Sequence, residues 1–458
     1  MKRKPFIPPR FKHQDFTLKK MQETPILFDM SDPGTGKTRV QIDAFAARRR
    51  KKGGKALVLA TKSLLESAWK QDFKTYAPDI VVSVAYASNR KAALQHPNAD
   101  VVVTNHDAVK ELVKLPKTFW KDYDTLIIDE STAFKHHTSQ RSKAVKKLTE
   151  HFKYRTCMSG TPTSNGILDI WHQVFLLDDG KRLGKSFFGF RAAVCNPVQV
   201  GPSARMIRWE DKDGADLAVA ELLKDIVVRH KFEDCVDIPK NFRYAIKITL
   251  PPALQAQYEE MRDFHFLDLK TTGVTAINGA VVYGKLLQIA SGAIYDDSGG
   301  YTLLDSSRYS LILDLVEERE HSIVFFLWKH QRDELIKEAN KRKIKFGVLD
   351  GSISDKTRHT LIQNYQKGEY RTLFMHPQSA GHGLTLTKGT ATIWASPTYN
   401  LEHFLQGLKR IHRIGQTQKT ETIVIIAENT IDEKVWELMQ RKDVKQSDFI
   451  NMLIKDIQ

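Results

Sequence analysis

The sequence predicts an α/β fold: two lobes, each a doubly wound parallel sheet, with a mixed, partly helical insertion between them. Three observations predict it. Short apolar runs alternate with helical patterns from Pro25 to about Gly160. The alternation stops over a mixed stretch from Ile167 to Met261. It resumes near Ser310 and continues to Ala427. Continuously apolar runs suit strands covered on both faces, and helical crossovers between them make neighbouring strands parallel.

The elements follow in order. In the first block, strands are expected over Ile26–Met30, Ala56–Ala60, Val82–Tyr86, Val101–Asn105, Thr125–Asp129 and Thr156–Gly160. A helix over Arg39–Arg50 follows the first of them, and its basic end, Arg48–Lys52, suits a helix C-terminus. Helical stretches over Leu217–Val228 and Pro252–Met261 fill the mixed part. The segment Phe232–Arg243, FEDCVDIPKNFR, is polar with a proline and reads as the junction between lobes. In the second block, strands are expected over Ile323–Trp328, Phe346–Leu349, Thr372–His376, Ala391–Ser396 and Thr422–Ala427. The expected domains are therefore 1–235, including the insertion 167–235, and 236–458.

Composition narrows the partners. With 41% hydrophobic and 27% charged residues, the chain is globular, which excludes a disordered protein. Apolar runs such as Ser322–Trp328 stay far short of the ~18 residues of a spanning helix, so no membrane partner is expected. The N-terminal MKRKPFIPPRFK has no apolar core, so no secretory signal is read there. Cys157, Cys195 and Cys235 are far apart, which excludes a disulfide framework and a CxxC-type structural zinc and suits a reducing compartment. The sixteen histidines show no metal-ligand spacing. Lys+Arg exceeds Asp+Glu by 70 − 54 = 16 charges, which points to a polyanion such as nucleic acid; a highly solvated surface would give the same balance.

The most specific local signal is Ser31-Asp32-Pro33-Gly34-Thr35-Gly36-Lys37-Thr38, which lies between an expected strand and an expected helix. Glycines let backbone N–H groups curl around phosphate oxygens, and the helix N-terminus adds positive potential. Lys37 suits the β/γ-phosphates and the Thr38 hydroxyl suits magnesium, so a nucleotide with Mg2+ is expected at this loop. Ser31 stands where the usual pattern has its first glycine. A carboxylate partner is expected at the C-terminal end of another strand, and Asp129-Glu130 occupies that place. Asp129 would hold the magnesium, and Glu130 would orient and deprotonate water.

Further along stands Gln406-Gly407-Leu408-Lys409-Arg410-Ile411-His412-Arg413-Ile414-Gly415-Gln416. This QxxxRxHRxGQ pattern resembles the last motif of Swi/Snf-like superfamily 2 helicases and translocases. The family's other motifs have counterparts in order. His13-Gln14 resembles the adenine-reading Q motif, and Thr61–Leu65 with Trp69 resembles the stretch after the second strand. DESTAFK, Asp129–Lys135, resembles the DEAH box, and Ser159-Gly160-Thr161-Pro162 with Asn165 resembles the coupling motif. In the second lobe, Leu349–Ser352 with Arg358, Ala380–Thr387 and Glu428–Lys434 resemble the remaining elements. DES in place of DEAH, the short GLT and the compact size look like the annealing-helicase-related, bacterial or phage subgroup. That implies the cytoplasm of a bacterial cell or phage-infected host.

The resemblance implies RecA-like lobes with ATP bound between them. Gln14, Gly34, Thr35, Gly36, Lys37 and Thr38 would bind it. Arg410 and Arg413 would stabilise the transferring phosphoryl, and Ser159, Gly160, Thr161 and Gln406 would couple hydrolysis to movement. Glutamine pairs well with the N6/N7 edge of adenine. The implied DNA contacts are to phosphate and fall on Lys62, Ser63, Thr104, Asn105, Lys329, Gly351, Ser352, Ser379 and Thr385; each can equally be a turn or cap residue. Trp328 and His330 can meet nucleic acid or pack in the core. The expected partner is duplex or forked DNA bound without sequence preference, with replication or recombination proteins beside it.

Three readings follow. The first is a DNA-stimulated ATPase that translocates on duplex DNA, remodelling or reannealing it or displacing bound protein. The second is a strand-separating helicase loading on a single-stranded tail, with a pin in Lys181–Lys212, a segment that matches the family poorly. The third, a silent nucleic-acid-binding scaffold, requires loss of Lys37, Glu130 or Arg413, and all three are present.

Overall fold

The computed structural model describes residues 7–200, 203, 206–235, 238–264, 266–269, 272–275, 279–296, 298–380 and 384–452. Of the expected motif residues, Gly381, His382 and Gly383 lie outside this set, as do four residues of Lys181–Lys212. The chain divides into two compact units, Met1–Asp237 with Lys442–Gln458, and Ile238–Arg441.

The first unit is built on a seven-stranded sheet. Its first six strands are β1 (Ile26–Asp29), β2 (Lys55–Ala60), β3 (Val82–Ala85), β4 (Val101–Asn105), β5 (Tyr123–Asp129) and β6 (Tyr154–Met158). They match the six expected runs because each is buried on both faces, which leaves an apolar run with no alternation. A separate antiparallel hairpin follows, β7 (Cys195–Gln199) and β8 (Ile207–Asp211), within the segment that matched the family poorly. The expected helix over Leu217–Val228 is shorter, Ala215–Leu223, and Val227–Val228 is instead strand β9, parallel to β1. Two residues are too few to show a period of their own, so they read as a continuation of the helix. The strand order β3-β4-β2-β5-β6-β1-β9 is parallel throughout. The C-terminal ends of β1, β5 and β6 therefore lie side by side, and the loops that carry the motifs leave from these ends.

The second unit carries a six-stranded parallel sheet. Its first strand, β10 (Asn241–Ile248), forms an edge and is partly exposed. Two antiparallel hairpins follow: β11 (Phe266–Leu269) with β12 (Thr272–Thr275), and β13 (Ala293–Tyr295) with β14 (Tyr301–Leu303). The remaining strands are β15 (Ser322–Phe325), β16 (Phe346–Leu349), β17 (Thr372–Met375), β18 (Ala391–Trp394) and β19 (Thr420–Ala427), in the order β10-β19-β18-β15-β17-β16. A buried ion pair fastens this unit: Arg308 Nη2 lies 2.8 Å from Asp432 Oδ2. Arg308 also donates to the carbonyls of Ala290, Ala395 and Ile425, so the guanidinium is well compensated.

Candidate functional site

In the first unit, β1 runs into a loop whose Gly34 and Gly36 have φ of +92° and +78°, the left-handed region that glycine adopts without steric cost. Gln14 also packs closely on Gly36: a Cβ there would lie 2.3 Å from Gln14 Nε2 and displace that amide. Lys37 opens the helix Lys37–Lys52, and its Nζ donates to the carbonyls of Ser31 (2.6 Å) and Asp32 (3.1 Å). The ammonium thus stands over the mouth of the loop. Ser31, which departs from the usual glycine, is buried, and its hydroxyl accepts from His230 N at 3.0 Å. Thr38 is half-buried in the first helical turn.

Residues beyond the expected set complete this loop. Arg229 Nη2 pairs with Asp32 Oδ1 at 2.9 Å, and Arg229 Nη1 donates to Met30 O. Phe232 N donates to Asp32 Oδ2, and the Phe232 ring covers Gly34. Strand β9 brings these residues beside β1. Gln14 is buried and occupied by protein contacts: its Oε1 accepts from Phe11 N, and its Nε2 faces the carbonyls of Thr35 and Gly36 at 3.4 and 3.3 Å. His13 contacts Thr35 O at 2.8 Å and stacks on Phe11.

Strand β5 delivers the acidic pair. Asp129 is nearly buried; its Oδ2 accepts from Trp69 Nε1 at 3.0 Å and its Oδ1 from Glu130 N at 3.1 Å. His106 Nε2 reaches the Asp129 carbonyl at 2.7 Å. Glu130 has φ +49°, an unusual conformation for a residue with a side chain, and turns out of the strand immediately after Asp129. The next residue, Ser131, is fully buried and donates to Gln173 Oε1 at 2.6 Å. Gln173 Nε2 donates in turn to Pro162 O at 2.8 Å. Lys135 bonds Ser164 Oγ and pairs with Asp169, each at 3.1 Å.

The coupling motif leaves the end of β6 directly beside the phosphate loop. A Cβ on Gly160 would stand 2.7 Å from Pro33 Cδ, so only glycine fits this approach without a shift. Ser159 Oγ accepts from Thr161 N and fixes the turn. The phosphate loop, acidic pair and coupling turn thus form one packed cluster within a single unit.

In the second unit, Arg410 and Arg413 both donate to Leu384 O, at 3.4 and 2.9 Å, and burial lowers the Arg413 pKa from its usual value. Gln406 is buried and bonds Glu402, while Gln416 Nε2 holds the carbonyls of Thr387 and Gly389. Among the expected phosphate contacts, Lys62 is exposed, and Ser63 and Asn105 are half-buried. Thr104 is fully buried and donates its hydroxyl to Ala85 O at 2.7 Å, so it presents nothing outside the sheet. Lys329, Gly351, Ser352 and Ser379 line one groove of the second unit. Thr385 is half-buried and is not among the residues that line it. His330 is fully buried. Among the described residues no His/Cys/Asp/Glu cluster forms a metal site, and no helix is long and apolar enough to cross a membrane.

A family profile described as the SNF2-related domain matches residues 16–290, and one described as the helicase conserved C-terminal domain matches residues 307–415. The chain belongs to the SNF2-related family. It is thus an ATP-dependent enzyme of the helicase and translocase type. This SNF2-related chain is 30% identical over 409 residues to protein p41 of Acyrthosiphon pisum secondary endosymbiont phage 1, covering 85% of this chain and 86% of p41. It is 25% identical to YwqA of Bacillus subtilis (strain 168), named an ATP-dependent helicase/translocase, over 92% of this chain and 46% of YwqA. It is 24% identical to ZRANB3 of Mus musculus, named a DNA annealing helicase and endonuclease, over 89% of this chain and 38% of ZRANB3. The chain therefore spans most of p41 but less than half of the other two. The SWI2/SNF2 ATPase core of Sulfolobus solfataricus in complex with dsDNA aligns over 98% of this chain and 95% of that one, with a TM-score of 0.44 and 20% identity.

Proposed function

We propose that this chain is a DNA-stimulated ATPase that moves along duplex DNA, remodelling or reannealing it or displacing bound protein. The observation that carries the reading is the continuity of the cluster in the first unit. Gly160 packs on Pro33 of the phosphate loop, and Ser131 reaches the coupling turn through Gln173 and Pro162. A change in the phosphates held by Lys37 would pass to the Thr161–Asn165 turn through rigid contacts, which is what a motor requires.

In this reading the N–H groups of Gly34–Thr38 and the Lys37 ammonium hold the phosphates, with Gln14 on the adenine side. Thr38 and Asp129 would hold Mg2+. The donor chemistry fits: the Asp129 carboxylate, positioned by Trp69 Nε1 and Glu130 N, and the Thr38 hydroxyl are both hard oxygen donors. Bound there, magnesium offsets phosphate charge. Glu130, which leaves β5 with left-handed backbone, takes the proton of the attacking water. Arg410 and Arg413 offer guanidinium charge to the transferring phosphoryl. Ser159, Gly160, Thr161 and Gln406 transmit the change. Lys62, Ser63, Asn105, Lys329, Gly351, Ser352, Ser379 and Thr385 contact the DNA phosphates. With a net charge of +16, this predicts sequence-independent, salt-sensitive binding.

The test is ATP turnover with no nucleic acid, single-stranded DNA, blunt duplex, forked DNA and RNA. Blunt duplex and fork should stimulate more than single strands. Strong stimulation by single strands with none by blunt duplex would promote the second reading, strand separation. One observation favours that reading: the β7–β8 hairpin is a two-stranded sheet of its own, with Val200, Met206 and Ile207 exposed at and beside its turn.

A further inference from the structure

The second unit holds a groove of about 660 Å³ that ATP chemistry leaves unused. Four segments distant in sequence build it. The β13–β14 hairpin contributes Tyr295, the start of the helix that follows β15 contributes Trp328 and Lys329, and the segments after β16 and β17 contribute Ser352 and Ser379. Its size suits one nucleotide-sized group.

The aromatic wall is rigid. Tyr295 OH accepts from His330 N at 2.9 Å and lies 3.2 Å from His330 Nδ1, while His330 Nε2 meets Ser291 Oγ at 2.9 Å. Trp328 is half-buried and stacks at 15° on His330, with ring centroids 6.4 Å apart. The Tyr295 and Trp328 centroids are 6.2 Å apart. The rings are therefore held in place while both still line the groove. Lys329 stands next to them, exposed and without an ion pair among the described residues, whereas Arg332 on the same rim is tied to Asp333 and Asp350.

An unpaired ammonium beside the Ser379 hydroxyl suits a phosphodiester, whereas the Ser352 hydroxyl already donates to Asp350 Oδ1. A fixed ring face suits a nucleobase, but only one that has left its own stack, because a base inside a duplex offers its edges rather than its faces. From this juxtaposition we propose that the groove is a subsite for one unpaired nucleotide of a nucleic-acid strand, its base on Trp328 and its phosphate on Lys329 and Ser379. The proposal rests on the DNA-motor reading and adds to it a means of sensing the junction between paired and unpaired strand.

The experiment uses the full chain and three probes of equal length: a blunt duplex, a DNA fork and a duplex with an RNA tail. Each tail carries 2-aminopurine at the first unpaired position, and affinity and fluorescence are read together. Stacking on Trp328 should change the 2-aminopurine signal with the DNA tail, the RNA tail or both, and the response identifies the source. Trp328→Ala should weaken tailed probes about 10-fold, the scale of one lost base stack, and leave blunt duplex within about 2-fold. Trp328→Phe should restore most of the difference. A wild-type chain that leaves 2-aminopurine unchanged in both tails overturns the subsite, as does equal weakening of blunt and tailed probes in a Trp328→Ala protein with unaltered circular dichroism. Duplex-stimulated ATP turnover, measured alongside, separates the two failures: its loss in the wild-type chain counts against the motor, its persistence against the subsite alone.

Discussion

In the phosphate loop, Lys37 rests on two carbonyls of its own loop, and Gln14, Ser31 and Asp129 each hold a protein partner. In the groove of the second unit, Lys329 has no ion pair among the described residues, and Trp328 keeps a partly open face. The first region is organised before any ligand arrives, as chemistry demands, because donors already in position need no reorganisation during the reaction. The second is a rigid ring wall with its charge left uncommitted, which suits binding without chemistry. If the comparison is right, damage to the first region should abolish turnover, while damage to the second should shift nucleic-acid preference.

The largest effects are expected at the phosphate chemistry. Glu130→Gln keeps the shape but loses the base, so ATP should still bind while turnover falls by about 10²–10⁴-fold. Lys37→Ala should instead weaken ATP binding. Arg413→Ala should leave ATP affinity within a few-fold and cut DNA-stimulated hydrolysis by at least ~10²-fold. Nucleotide binding and steady-state hydrolysis measured on the same preparations check all three. Near-normal turnover in Glu130→Gln would remove that residue from its role.

Next comes the buried pair that holds the second unit together. Asp432→Ala strands the Arg308 guanidinium in the core and should cost about 3–5 kcal/mol in denaturant unfolding. The double change Arg308→Met with Asp432→Leu should cost less than Asp432→Ala, because the uncompensated charge is gone. A double variant worse than the single would show that the carbonyl contacts of Arg308, not the pair, carry the stability.

How far the sequence revealed these regions follows from the range of the contacts. The strands of both sheets are legible because double-sided burial leaves apolar runs, and the phosphate loop is legible because its chemistry is local. The partners that fix it are not local. Trp69 reaches Asp129 across 60 residues, and His230 reaches Ser31 across 199. Trp69 is at least marked by its motif; Arg229 and His230 fall between the expected helix Leu217–Val228 and the polar junction, and Phe232 opens that junction. The edge strand β10 was missed because NFRYAIKI is half polar and edge strands have an open side. The groove was legible only as scattered residues, since no spacing in the chain announces that Tyr295, Trp328 and Ser352 meet.

A pH measurement sharpens the comparison from the side of the second unit. Burial, aided by the charge of Arg308, pushes the His330 pKa down to about 3. The folded state then keeps a neutral ring where the unfolded chain, near pKa 6.5, takes up a proton. Stability should therefore be lost as pH falls below about 6.5, by up to ~1.4 kcal/mol per pH unit for this one group. His172 in the first unit, pushed by burial to about 4, adds a similar slope there. Replacing His330 with Gln should flatten the unfolding free energy of the second unit between pH 6.5 and 5 by about one proton's worth. An unchanged slope would mean that the ring is protonated in the fold.

The smallest effects concern the phosphate contacts of the first unit, where two neighbouring expectations diverge. Lys62 is exposed, and its charge can displace a counterion from DNA. Lys62→Ala should lower duplex affinity a few-fold and reduce the slope of log affinity against log salt by about 0.9. Thr104 is fully buried, and its hydroxyl already serves Ala85 O. Thr104→Val should leave both the affinity and the salt slope unchanged while costing about 1 kcal/mol of stability for the lost hydrogen bond. Titrating both variants with one blunt duplex at several salt concentrations, beside a denaturant melt, distinguishes the two. If Thr104→Val weakened DNA binding at unchanged stability, β4 would have to open its end to the ligand, and the first unit would be less fixed before binding than its contacts imply.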